Sequence, residues 1–333
     1  MQHQSSLFDA PTHSVESSPK ALPDTRVEEL RSILRKADYA YYVEASPVID
    51  DREYDRLYEE LTHLESENPA LITPDSPTQR VSGQPIKEFQ SVQHEEPMLS
   101  LQNTYNREEV QDFDRRVREG LEGKPFEYWC DLKYDGVAMS LRYENGLLVL
   151  GVTRGDGTTG DDITNNIRTL PSVPLRVAPV MLNGVPLVNF EVRGEVYMRN
   201  SDFLRINEER EARGEKLYAN PRNLTAGTLK LQDAREVKKR PLQLACYFLR
   251  LTNPSSQAPS NQAPSNQAPS NQLLLSQEDN MRLLKEMGFP VAEGSRKCTG
   301  LEEVFAFIDE WETRRETLPF QTDGAVVKVN GIP

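Results

Sequence analysis

Cysteine is scarce. The 333-residue chain has three, Cys130, Cys246 and Cys298, widely separated and in no CxxC pair or Cys/His cluster, which excludes a visible zinc site or disulfide framework and points to buried, reduced thiols. Long apolar runs are missing too. No stretch approaches the roughly 20 residues that a membrane span needs, and the opening MQHQSSLFDAPTHSVESSPKA lacks the charged-then-apolar order of a signal peptide. The expectation is a soluble, cytoplasmic chain with no membrane partner. Positive charge is in deficit: 39 Lys and Arg against 52 Asp and Glu leave a net charge of −13. Such a surface does not grip nucleic acid as a whole, so any contact with a phosphate backbone is local. No G-x-G-x-x-G sits inside a βαβ unit, so a dinucleotide fold of that kind is not implied.

At 37% apolar residues the chain can bury one substantial core and a smaller satellite. Residues 1–23 are polar and aperiodic, as in a disordered tail. Over 24–72 two amphipathic helices are expected. Thr25 and Glu28 have capping-box spacing ahead of the stripe Leu30, Ile33, Leu34, Ala37 and Tyr41; Asp50 and Glu53 repeat it ahead of Tyr54, Leu57, Tyr58, Leu61 and Leu64, and Asn68-Pro69 ends the second helix. Breaker residues throughout 73–85 read as a linker. From there to residue 333 the pattern is α+β with antiparallel sheets. VAMSLRY and LLVLGVTR flank Asn145-Gly146, a strong two-residue hairpin signal. LVNFEVRGEVYM, LQLACYFLRL and DGAVVKVN are further strands, with helices at about 106–121, 201–213, 276–288 and 301–315. Three copies of QAPSN mark a low-complexity insertion over 254–272. The sequence stops at VNGIP, directly after an apolar strand, which reads as a cut within a longer protein.

The sharpest local signal is Lys133, two residues before Asp135-Gly136. Alone, such a string is as well explained by a surface lysine and a turn. Downstream lie Arg154-Gly155-Asp156-Gly157, Glu191-Val192-Arg193-Gly194-Glu195, Asn220-Pro221-Arg222-Asn223 and Asp323-Gly324-Ala325-Val326-Val327-Lys328. Together these motifs resemble those of covalent nucleotidyltransferases, which implies a lysine that attacks phosphorus; an amine does so only when neutral, whereas a free lysine has a pKa of about 10.4, so such a nucleophile needs desolvation or a nearby cation. Lys328 is a candidate for that cation and, with Arg154 or Arg222, for neutralising a phosphate. Glu195 and Asp135 suit a ribose hydroxyl or a hydrated Mg²⁺; a solvent-facing strand position is the alternative for Glu195. The glycines of RGDGTTGDD permit close backbone approach to a ligand, or form an ordinary wide loop.

In this order the motifs resemble those of the covalent nucleotidyltransferases, the superfamily of DNA ligases, RNA ligases and mRNA capping enzymes, in which such a lysine forms a lysyl-nucleotide. YYVEASPVIDDREYD further resembles the nicotinamide-mononucleotide-binding module of bacterial NAD-dependent DNA ligases. Its Asp51, Tyr54 and Asp55 share one helix face, and two tyrosine rings suit a cationic pyridinium. Core packing is the alternative for Tyr41 and Tyr54, which continue apolar stripes. LITPDSPTQRVSG, HEEPMLSLQNTYN, TRGDGTTGDDITNN and NPRNLTAGTLKLQD are also similar to family segments, so the resemblance covers about residues 25–330.

The resemblance implies a helical domain over 24–72 followed by an ATP-grasp-like nucleotidyltransferase domain over 86–333. Lys133 attacks the α-phosphate of NAD⁺ and expels nicotinamide mononucleotide (NMN), with Asp135 and Lys328 in the catalytic set; AMP then passes to the 5′-phosphate of nicked DNA. Tyr41, Tyr42, Asp51, Tyr54 and Asp55 hold the NMN half. Ser100, Leu101 and Asp131 contact adenine, Arg154, Glu195 and Lys328 surround ribose and phosphate, and Arg222, Lys230 and Asp323 complete the NAD⁺ set. Mg²⁺ is assigned to Glu195 and Asp135. Asp131 stands where the family commonly has Glu, and Lys230 where many members have Arg. Zinc, OB-fold, helix-hairpin-helix and BRCT regions would lie beyond residue 333, leaving a monomeric fragment that self-adenylates but seals nicks poorly. Within it, Lys230, Arg235, Lys238, Lys239 and Arg240 are the best local candidates for DNA contact. The rivals are an ATP- or GTP-using nucleotidyltransferase and a non-catalytic NAD- or DNA-binding module.

Overall fold

A computed structural model of the chain describes residues 23–44, 46–81, 86–252 and 276–331. The expected tail, the QAPSN copies and residues 82–85 of the expected linker lie outside the described residues, apart from Pro23.

Two helices, α1 (Pro23–Tyr42) and α2 (Asp51–Glu67), bury Val27, Leu30 and Leu34 against Leu57 and Leu61. The cap of α2 forms as its sequence predicts: Asp50 Oδ1 accepts the Glu53 N–H at 2.8 Å. Glu53 does not close the box, because its carboxylate pairs with Arg56 one turn on. α1 starts earlier than the expected Thr25 cap. Pro23, whose fixed φ and missing N–H suit the first turn, begins the helix and leaves Thr25 inside it. Tyr41 keeps the phase of the apolar stripe but is 52% exposed; in the last turn of α1 its ring meets Tyr42 edge-on and not the core.

Residues 73–81 join the helical pair to the larger body as packed structure. Arg31 and Glu65 form a fully buried ion pair at 2.6 Å, and Ser76 Oγ and Thr78 Oγ1 both donate to Glu65. Asp75 and Ser76 are buried, and Arg80 donates to the carbonyls of Leu170 and Val173 at 3.0 Å.

In the larger body β1 (Ser91–Gln93) precedes α3 (Arg107–Gly120), β2 (Tyr128–Tyr134), β3 (Val137–Glu144), β4 (Leu147–Thr153) and β5 (Thr159–Asp161). Then come α4 (Thr164–Ile167), β6 (Val180–Leu182), β7 (Val185–Leu187), β8 (Phe190–Met198), α5 (Asn200–Ala212), α6 (Pro221–Leu229) and α7 (Ala234–Lys238). The rest is β9 (Leu242–Leu251), α8 (Gln277–Glu286), β10 (Arg296–Cys298), α9 (Leu301–Arg314) and β11 (Thr322–Val329). The fold is α+β: antiparallel sheets β4-β3-β8-β9 and β10-β2-β11 flanked by helices, around one apolar core. All three cysteines are free and buried. Among the described residues no helix is long and apolar enough to cross a membrane.

The β3–β4 turn follows from its residues. Asn145 and Gly146 both take positive φ, 50° and 74°, the two-residue geometry that matches strand twist. A Cβ on Gly146 would lie 2.5 Å from the Val177 carbonyl oxygen. Gly146→Ala is therefore expected to cost roughly 1–3 kcal/mol, read as a lower midpoint in urea; an unchanged midpoint would mean the turn relaxes freely. The segment NPRN, seen in sequence only as a motif, is also a helix start. Asn220 caps the Asn223 N–H at 2.7 Å and Pro221 takes the first helical position of α6.

Candidate active site

Alternation along β2 puts Asp131 and Lys133 on one face, and β11 sets Gly324 opposite Lys133 and Val326 opposite Asp131. Between Thr322 and Gly324 the register slips by one residue. The extra residue is Asp323, a β-bulge whose side chain is re-aimed: its Oδ2 accepts from Lys133 Nζ at 2.8 Å. The Asp-Gly after β2 is more than a turn. A Cβ at Gly136 would sit 2.2 Å from the Val196 carbonyl oxygen and 3.0 Å from Glu195 Cγ, so glycine is what lets the lysine strand approach β8. Asp135 accepts from Arg222 at the start of α6, at 3.2 Å.

Glu195 sits at the centre of this charge. Burial pushes its carboxyl up to about 7 against the pull of Lys133, Arg222 and Arg154, with Asp135 adding to the rise. Its carboxylate makes no hydrogen bond or ion pair among the described residues, so an open acceptor stands amid three cations. The stability linked to neutral Glu195 is fully present below its usual value of 4.5 and falls as pH rises through 7. Glu195→Gln is expected to flatten that part of the stability profile, measured by urea unfolding from pH 4 to 8; a mutant curve parallel to wild type would contradict the assignment.

Lys328, expected as a cation beside Lys133, pairs with Asp131 Oδ2 at 2.7 Å. Trp129 Nε1 donates to Asp131 Oδ1 at 2.6 Å. Asp131, expected at the adenine, is thus buried between Trp129 and Lys328. Beside Lys328, 5.7 Å from its Nζ, lies the ring of Tyr247, a residue the sequence reading passed over. It too is a bulge, since Arg193 faces Phe248 and Gly194 faces Cys246; strand alternation gave no hint of it. Arg154 is exposed and unpaired among the described residues, while Lys230 is turned to Asp161 at 2.9 Å.

Ser100 and Leu101 lie in a fully exposed stretch after Met98. Met98 N–H donates to Gly157 O at 2.8 Å, and Arg193 donates to the carbonyls of Glu96 and Pro97. RGDGTTGDD therefore serves as a seat for the segment leading into Ser100. In the basic run, Arg235 and Lys239 are neutralised by Asp233 and Glu236, and Arg240 donates to Thr228.

A second cluster belongs to the helical pair. Tyr54 Oη donates to buried Asp38 at 2.9 Å, and burial raises Asp38 above the usual carboxylate range despite Arg80. Tyr41 and Tyr42 meet at 4.8 Å and 64°, an edge contact and not a parallel sandwich. Asp51 and Asp55 are exposed. No hydrogen bond, ion pair or ring contact among the described residues links Tyr41, Tyr42, Asp51, Tyr54 or Asp55 to the Lys133 cluster.

Two known families match in succession: the DNA ligase-like, N-terminal NAD⁺-binding domain over residues 20–82 and the NAD-dependent DNA ligase adenylation domain over 86–333. A DNA ligase of Petrotoga mobilis is 45% identical over 312 residues, covering 94% of this chain and 43% of its own length. DNA ligases of Porphyromonas gingivalis (46% identical; 92% of this chain, 43% of the relative) and Chlorobaculum tepidum (47%; 94% and 44%) are similar in the same way. The chain spans less than half the length of these relatives. With a lysine held at the start of an Asp-Gly close approach and a helical pair ahead of it, the chain belongs to the NAD-dependent DNA ligase family, as its N-terminal NAD⁺-binding and adenylation domains.

Proposed function

We propose that Lys133 takes AMP from NAD⁺, for transfer to the 5′-phosphate of nicked DNA by the longer enzyme. One observation carries this reading: Lys133 Nζ is 2.8 Å from Asp323 and beside Glu195, which is unpartnered and flanked by Arg154 and Arg222. In the step, a bond forms between Nζ and the α-phosphorus while the bond from that phosphorus to the oxygen of the NMN phosphate breaks. Asp323 is placed to take the proton that Nζ loses. NMN leaves with the electron pair, opposite the lysine, as in-line displacement requires. Arg154 and Arg222 supply fixed positive charge for the phosphate oxygens. Lys328 joins them if adenine binding draws Asp131 away.

The open Glu195 carboxylate beside Asp135 fits Mg²⁺, an ion that keeps most of its waters and needs only one or two carboxylates. When bound it would neutralise phosphate charge. The exposed Tyr41, with Tyr42, Asp51, Tyr54 and Asp55, would hold NMN once the helical pair closes over NAD⁺ and then swings away. Crosslinking the pair to the larger body without loss of adenylation would count against that motion. DNA contact falls mainly to the rest of the longer enzyme; within the basic run Arg235 and Lys239 already pair with Asp233 and Glu236.

The test is incubation with Mg²⁺ and either NAD⁺ or ATP, followed by intact mass. An AMP adduct with NAD⁺ alone is expected. An adduct with ATP alone would sink the choice of donor, and no adduct with either would leave a binding module.

A further inference from the structure

Glu191 shares strand β8 with Glu195 but takes no part in the step at Lys133. It stands opposite Arg142 of β3 and Arg250 of β9, and alternation brings Arg193 to the same face. Glu191 is only 3% exposed; its carboxylate pairs with Arg193 at 2.7 Å and also with Arg250. Burial pushes this carboxyl up, yet the two guanidiniums hold it below the usual carboxylate range.

All three arginines also grip one short stretch of chain. Arg193 donates to the carbonyls of Glu96 and Pro97, at 2.8 and 3.2 Å. Arg250 reaches Glu95 and Glu96, both at 3.1 Å, and Arg142 reaches Glu95 at 2.8 Å. Ion pairs with part-exposed partners such as Glu95 and Glu96 contribute little by themselves. A guanidinium fork already oriented by a buried carboxylate has less freedom to lose on forming them. On either side of this stretch the main chain is tied down, His94 N–H to Thr158 O at 2.9 Å and Met98 N–H to Gly157 O at 2.8 Å. From buried Met98 the chain runs out as the exposed residues 99–105, which include Ser100 and Leu101.

We propose that Glu191 is a positioning residue for adenylation: by orienting Arg193 and Arg250 it fixes residues 95–97 and, through them, the course of Ser100 and Leu101 along the adenine half of NAD⁺. Glu191 acts without touching the dinucleotide. This role rests on Lys133 taking AMP from NAD⁺ and on Ser100 and Leu101 meeting its adenine.

The test is the rate of lysyl-AMP formation by the intact chain against NAD⁺ concentration, paired with the reverse step. In that step an oxygen of the NMN phosphate attacks the phosphorus of the adenylated chain, and the bond to Nζ breaks. Glu191→Gln keeps the shape and removes the charge; its half-saturating NAD⁺ concentration is expected to rise at least about fivefold, with the limiting rate within about twofold of wild type. The half-saturating NMN concentration of the reverse step stays within about twofold, since the bond to Lys133 already holds the AMP half. Arg193→Lys, which loses the planar fork, shows the same split and decides the matter should Glu191→Gln fail to fold; circular dichroism checks both. Because one residue acts through the other, the double variant is no weaker than the weaker single one by more than about twofold. Unchanged NAD⁺ saturation in both single variants overturns the proposal. So does a parallel rise for NAD⁺ and NMN, which would make Glu191 a support of the whole fold. A wild-type chain that forms no adduct with NAD⁺ overturns the reading of Lys133 first, and the positioning role with it.

Discussion

Lys133→Ala is expected to abolish the AMP adduct with NAD⁺, a fall on the order of 10⁴-fold or more, while unfolding stability stays within about 0.5 kcal/mol of wild type. Both halves follow from position. The side chain is more than a third exposed and its one partner, Asp323, is exposed too, so its loss leaves neither a cavity nor a buried orphan. Lys133→Arg separates charge from nucleophilicity. Arginine keeps the ion pair with Asp323 but stays protonated at any working pH, so it is expected to form no adduct either. The readout is intact mass for AMP and urea unfolding for stability. An adduct surviving in either variant would move the nucleophile to another residue.

Glu65→Ala unfolds the helical pair. Its carboxylate is 3% exposed and bonded to Arg31, Ser76 and Thr78; breaking a buried ion pair costs about 3–5 kcal/mol, and the lower end is expected because Arg31 keeps Glu28 at 2.6 Å while the two hydroxyls lose their acceptor. The apolar cluster beneath has only Val27, Leu30, Leu34, Leu57 and Leu61 at its centre, too little to absorb that loss. Hydrogen exchange should show α1 and α2 losing protection while the strands of the larger body keep theirs, with the KM for NAD⁺ rising. Replacing both partners, Arg31→Met with Glu65→Leu, is expected to restore most of the protection. Unchanged exchange in Glu65→Ala would mean the pair contributes nothing net.

The parts of the fold set by neighbouring residues were legible in the sequence. Asn145-Gly146 needs only its own two φ angles, and the Asp50 cap needs only Glu53 three residues on. The start of α1 was misplaced because Thr25 carries a cap signature that Pro23, two residues earlier, overrides. The short strands β1, β5 and β10, three residues each, are too brief for alternation to show. At the site, Lys133, Asp135, Glu195 and Arg222 were named from motifs, and they lie together. What pattern could not supply was the pairing between them. Lys133 meets Asp323 across 190 positions of sequence, Lys328 turns to Asp131, and Tyr247 arrives through a slip in register. Each depends on which strands become neighbours.

Both Asp323 and Tyr247 are residues beyond what ladder pairing requires. A strand one residue shorter at either place would pair more regularly, so the sheet alone does not account for the extra residue. On the role proposed for Asp323, a chain shortened by one residue at 323 is expected to keep its sheet and leave Lys133 without its acceptor, so strand length there would report on activity and not on folding.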